Sequence, residues 1–113
     1  MDYIWDAIKR LFIAIVNLVK KIFRDVINFG RDVVGWFKKL ALDPRRHVPF
    51  ITNTKTLKEM IHDAPVVDCG IFAAVYDEQS DSITNGVLIE ADELDSETLS
   101  QLRKGDDGIT VLR

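Results

Sequence analysis

The first 42 residues contain no proline, and their apolar side chains recur with the period of a helix. At about 100° per residue, Ile4, Trp5, Ile8, Leu11, Phe12, Ile15, Leu18, Val19, Ile22, Phe23, Val26, Phe29, Val33, Trp36, Phe37 and Leu40 share one arc of about 160° with Val16 and Val34. No charged residue enters that arc. The opposite side carries Asp2, Asp6, Arg10, Lys20, Lys21, Arg24, Asp25, Arg31, Asp32, Lys38 and Lys39. Within the most apolar stretch, LFIAIVNLVKKIF, the residues that interrupt the run (Asn17, Lys20 and Lys21) all fall on the polar side. The phase survives Gly30 and Gly35, so the spacing predicts one long amphipathic helix over residues 1–42, with a bend near Gly30 as the alternative. Asp43-Pro44 ends it, because a proline pushes the preceding residue out of the α region.

The remainder reads as a smaller unit. Two prolines mark residues 43–55, DPRRHVPFITNTK, as a linker, and residues 56–113 as a small acidic α+β domain. Thr56 and Glu59 have capping-box spacing, which predicts a short helix from about Leu57 to Asp63. The apolar run Ile71 to Tyr76 has strand length, Asn85-Gly86 is a turn dipeptide, and VLIEA supplies a second strand. Asp95 or Ser96 can cap a helix running through Arg103, Gly105 can end it, and ITVLR is a last strand. The fold class is therefore α+β in the order α-α-β-β-α-β: a long N-terminal amphipathic helix, then a three-stranded sheet with two short helices. A continuous apolar strand needs cover on both faces, which two short helices do not provide. A helix of about 60 Å also outruns a typical strand of about 20 Å, so part of its apolar face is left for something else.

Charge separates the two parts. Residues 1–47 hold ten Lys or Arg against five Asp, a net +5, whereas residues 48–113 hold five basic against thirteen acidic residues, a net −8. Such asymmetry suits a basic segment that meets an anionic surface. Interfacial helices combine Trp, Phe and Leu on one side with Lys and Arg on the other. On that basis Lys9, Lys20, Lys21, Arg24, Lys38, Lys39, Arg45 and Arg46 are the expected anionic-surface contacts, and the sixteen apolar residues first named face the membrane or a partner. The expected function is non-enzymatic: the helix attaches the acidic domain to a membrane surface. The alternative is a structural or assembly subunit of a multiprotein or viral particle, with the helix packed on copies of itself or on a neighbour. Its pattern suits a bundle or ring better than a coiled coil, because the heptad steps from Ile4 to Ile22 lose phase at Val26 and Phe29. The expected partners are an anionic lipid surface or a protein, in a homo-oligomer or larger assembly.

Other classes find little support. Lys9, Arg10, Lys20 and Lys21 bracket the apolar run too closely for the roughly 18–20 residues of a membrane span. The acidic residues Asp2 and Asp6 and the missing A-x-A site argue against a secretory signal, so the chain is read as unprocessed, on the cytoplasmic side or within an assembly. Nucleic-acid binding is disfavoured because the aromatics lie on the apolar arc, apart from the basic residues. The cluster Arg45-Arg46-His47 complements a helix C-terminus without needing a ligand. No catalytic, cofactor or metal role is assigned. The single Cys69 with His47, His62, Asp63 and Asp68 matches neither a nucleophile nor a zinc pattern and reads as a buried thiol at a strand start. The acidic groups Asp77, Glu78 and Asp81, and then Glu90 to Glu97, lack the ligand spacing of a calcium loop.

Overall fold

The computed structural model describes residues 6–10, 20–60, 69–105 and 108–112. Its centre is a mixed five-stranded sheet in the spatial order β1-β4-β3-β2-β5. The strands are β1 (Lys20–Ile27), β2 (His47–Asn53), β3 (Gly70–Asp77), β4 (Ser82–Leu94) and β5 (Ile109–Val111). Residues 6–10 are helical. A π-helical segment, Phe29–Val34, runs directly into α1 (Gly35–Lys38), and α2 (Thr54–Met60) and α3 (Ser96–Arg103) complete the helices described.

β3 is the axis of the fold. Its sequence GIFAAVYD alternates side chains between two faces, and every residue is buried. On one face Phe72, Ala74 and Tyr76 join Val48, Phe50, Leu88 and Ile109 beneath Ala7 and Ile8 of the 6–10 segment and Leu57 of α2. On the other, Ile71 and Ala73 join Ile51, Val87, Ile89 and Ala91 beneath Phe29 and Val33, with Trp36, Phe37 and Leu102 at the margin. The double-sided cover demanded by the continuous apolar run is thus met by two helical layers. β3 pairs antiparallel with both β2 and β4. Gly70 opens it with φ +155°, where a Cβ would stand 2.0 Å from the Ile89 carbonyl oxygen, so only glycine lets the two backbones approach so closely.

The expectation of a long N-terminal helix with a three-stranded sheet is overturned. Residues 20–27 form β1, paired parallel with β4 from Lys20↔Val87 to Ile27↔Leu94. The physical reason lies in the side chains: Ile22, Val26 and Ile27 are β-branched and Phe23 is aromatic, all good strand formers. Over eight residues a helical period differs too little from a strand pattern to outweigh pairing with an exposed sheet edge. The helical apolar phase resumes only after Asn28, whose side chain accepts from the Arg31 amide at 2.8 Å while its own amide donates to Asp32 at 2.9 Å, a reciprocal cap that starts a new helix. The second added strand, β2, lies within residues 43–55, where prolines had suggested a linker; it sits between β3 and β5. Its Pro49 pairs with Val75 in the register with β3. The order α-α-β-β-α-β gives way accordingly.

Two further details differ. Asn85-Gly86 lies inside β4 and is no turn: the chain reverses at residues 78–81, where Asp81 takes φ 49°. The register slips between Val75↔Asn85 and Tyr76↔Ile83, leaving Thr84 as the extra residue of a bulge. The helix expected from Leu57 begins three residues earlier, at Thr54, and its far end falls outside the described residues. The helix capped by Asp95 and the final strand are present as Ser96–Arg103 and Ile109–Val111.

Candidate anionic-partner surface and apolar cleft

Asp95 ties the site region together. It caps α3 through the Thr98 amide at 2.9 Å and accepts from the Phe29 amide at 3.1 Å, so one carboxylate satisfies the first free amides of two helical segments. The Asp95 amide in turn donates to the Ile27 carbonyl at 3.0 Å. Its burial opposes ionisation, but the bonds from Thr98 and from the Phe29 amide hold the carboxyl below its ordinary range. The end of β1 is therefore fixed to the start of the Phe29–Val34 segment.

That junction places a buried carboxylate under a group of cations. The Asp32 side chain is 3% exposed. It accepts from Arg24 Nε at 3.1 Å, from Arg31 Nε at 3.1 Å and Nη2 at 2.9 Å, and from the Asn28 amide. Burial disfavours its charge, but the hydrogen bonds from Arg31, Asn28 and Arg24, with the Arg31 charge, bring its carboxyl down to about 2. The guanidinium groups also cover carbonyls of the strand: Arg24 donates to Phe23 and Arg31 to Val26. Arg24, Arg31 and Asp32 line a hollow of about 80 Å³ together with Ile22, Trp36, Lys39 and Ile89. Arg24 and Arg31 also border an adjoining open depression with Asp25 and Val26. Three cations thus face one hollow around one anion, beside an indole ring.

On the other side of the same helical segment lies an apolar cleft of about 480 Å³, lined by Phe29, Val34, Phe37, Lys38, Leu42, Pro49, Gln101, Val111 and Leu112. Lys38 and Lys39 are consecutive and exposed, and they border different hollows.

Among the apolar residues singled out by the helical period, Ile4, Trp5, Leu11, Phe12, Ile15, Leu18 and Val19 lie outside the described residues. Ile8, Phe29 and Val33 are buried in the two cores. Ile22, Trp36, Phe37 and Leu40 are half-buried, while Phe23 is 56% and Val26 42% exposed on the edge strand. Of the basic set, Lys9 is exposed, the Lys20 side chain is outside the description, and Lys21 pairs with Glu90 at 3.2 Å. Arg45 is largely exposed and pairs with Asp43. Arg46 grips Asp77 at 2.6 Å and 3.1 Å, and its side chain stays 37% exposed.

The Arg46–Asp77 pair explains the neighbouring histidine. His47 Nδ1 accepts from the Asp43 amide at 2.9 Å, and Nε2 lies 3.6 Å from Asp77 Oδ2. Both ring nitrogens face protein groups, which leaves none positioned as a general base toward a substrate. The Arg46 hydrogen bonds outweigh burial and lower the Asp77 carboxyl from its ordinary value, helped by the Gln79 and Ser80 amides. Cys69, expected to be buried, is exposed, its Sγ 3.8 Å from the Asp92 carbonyl oxygen. Among the described residues no three His, Cys, Asp or Glu side chains gather as a metal site, and no helix is long and apolar enough to cross a membrane.

Sequence reasoning marked Asp95 as a helix cap, but it read Arg31 and Asp32 only as polar-face residues and Asp77 only as part of an acidic group. Asp32 had one available signal, its spacing of four from Asn28 at a helix start; Asp77 had none, because its partner Arg46 is 31 residues away. The chain matches no family model, no curated protein and no solved structure.

Proposed function

We propose that the protein is a non-catalytic attachment module that meets an anionic membrane surface through the basic face where β1 adjoins the Phe29–Lys38 helical stretch. The observation that carries this reading is the convergence of Arg24, Arg31, Lys39 and Trp36 on one hollow, with Asp32 holding the two guanidiniums in place. Two arginines and a lysine over one carboxylate leave net positive charge facing outward, and an indole beside them has the amphipathic character that favours a headgroup interface. This contact is built from a strand and a short helical segment instead of a 42-residue helix, and from the basic set expected of the sequence it keeps Arg24 and Lys39 at the hollow, with Lys38 exposed next to Lys39.

The test is flotation of the full chain with vesicles of phosphatidylcholine alone and of phosphatidylcholine with phosphatidylserine. Binding to the anionic vesicles alone, weakened by salt, is expected. The double variant Lys38→Glu, Lys39→Glu removes two exposed cations that make no ion pair among the described residues, and at about 1 kcal/mol per basic residue it lowers binding at least tenfold. Equal binding to neutral vesicles, or none to either, overturns the reading.

A second reading has its own observation. Among the described residues β1 is paired on one side only, and Phe23 and Val26 stand exposed along it. An edge strand with exposed apolar side chains is suited to pairing with another chain, which supports an assembly subunit. A mass above the monomer in lipid-free buffer favours assembly, and a monomer at high concentration rules it out.

A further inference from the structure

We infer that the apolar cleft between the Phe29–Lys38 stretch and β5 binds a single-chain amphiphile with a carboxylate head, independently of the basic hollow on the other side of the helical segment. The cleft measures about 480 Å³, within the usual range for small-molecule sites of roughly 300–1,000 Å³. Most of its lining side chains are hydrocarbon: Phe29, Val34 and Phe37 on the helical side, and Val111 and Leu112 on the strand side. Such side chains reward an apolar body. The polar groups of the lining decide the head.

Lys38 brings the one charge in the lining described, and it forms no ion pair among the described residues, whereas Arg24, Arg31, Arg45 and Arg46 all engage aspartates. Gln101, the other polar side chain, donates one Nε2 hydrogen to Glu97 at 3.0 Å and is neutral, so the lysine is the group that can pair with a charged head. A cationic rim over an apolar slot is complementary to an alkyl carboxylate, the head paired with the ammonium and the chain against the hydrocarbon walls. A positively charged or polyhydroxylated ligand would meet a like charge or leave its hydroxyls unpaired against those walls.

The probes are octanoate and octan-1-ol, which share a chain and differ in head charge, titrated into the full chain and followed through its methyl resonances in NMR spectra. Octanoate should shift the methyls of Val34, Val111 and Leu112 saturably, with an affinity about tenfold above that of the alcohol, the advantage expected of a charge-assisted contact. Lys38→Gln changes only an exposed side chain, so its fold should persist. It should bring octanoate to the affinity of the alcohol and leave the alcohol unchanged. Shifts that do not saturate, shifts that avoid these three methyls, equal affinity for acid and alcohol, or indifference to Lys38→Gln would each overturn the assignment.

Discussion

β3 and β1 are both eight residues long and belong to one sheet, but they meet opposite surroundings. β3 is paired on both sides, packed on both faces and buried throughout. Among the described residues β1 is paired on one side only, and its Phe23 and Val26 remain open to solvent. The difference separates two uses of apolar side chains: in β3 they hold the protein together, and in β1 a share of them is available for contact with something else. The basic residues follow the same division, because the guanidiniums of Arg24 and Arg31 decorate the β1 edge whereas the Arg46 guanidinium is drawn to Asp77 at the end of β3.

Truncation at the centre should produce the largest effect. Phe72 is fully buried and packs edge-on against Phe50 with ring centroids 6.2 Å apart. Phe72→Ala removes that ring from the middle of a core and should cost about 3–5 kcal/mol, read as a fall in the urea midpoint. A loss under about 1 kcal/mol would mean that β3 is not the axis of the fold, and the contrast with β1 would collapse.

This contrast also sets how much of the fold could be read from the chain. The strand of Ile71–Tyr76 was legible because an uninterrupted apolar run of that length has few other uses, and α3 because Asp95 and Gly105 punctuate it. β1 was not, since Ile22, Val26 and Phe29 keep a helical phase with their neighbours and nothing local in KKIFRDVI announces a partner strand some 67 residues further on. β2 was hidden by Pro44 and Pro49. The candidate site was half legible: Arg24, Lys38, Lys39, Trp36 and Phe37 were marked by charge and period, but the two hollows they border depend on tertiary packing. Asp32, which organises the arginines, had looked like one more polar-face residue.

Acid should separate the edge from the centre next. The Asp32 carboxyl is held at about 2 in the folded protein, against roughly 3.9 in an unfolded chain. Between those values the folded state binds fewer protons, so the stability from Asp32 is full above about pH 4 and is lost as the pH falls through about 2. It amounts to about 2 kcal/mol. Chemical denaturation from pH 6 to pH 2 should therefore give a shallower acid loss for Asp32→Asn than for the parent, by up to about 2 kcal/mol, on top of lower stability at pH 6. Asp77 and Asp81, also shifted downward, contribute to the acid loss in both proteins and cancel in the difference, whereas the Asp32 charge raises the Asp95 carboxyl, so its removal lowers Asp95 further and offsets a small part of the change. Parallel curves would show that Asp32 does not hold Arg24 and Arg31 as a charged group.

The smallest effect on stability belongs to the edge itself, and there the comparison is sharpest. Phe23→Ser with Val26→Ser exchanges two exposed apolar side chains on β1 for polar ones. Because neither contributes much to the buried cores, the unfolding free energy should change by no more than about 0.5–1 kcal/mol, much less than Phe72→Ala alone. If the edge is an assembly surface, the same variant should lower the mass measured by sedimentation. If the membrane surface is the partner, the mass should stay monomeric and vesicle binding should fall less than with Lys38→Glu, Lys39→Glu. A stability loss comparable to that of Phe72→Ala would instead place Phe23 and Val26 in a packed environment and remove β1 as a free edge.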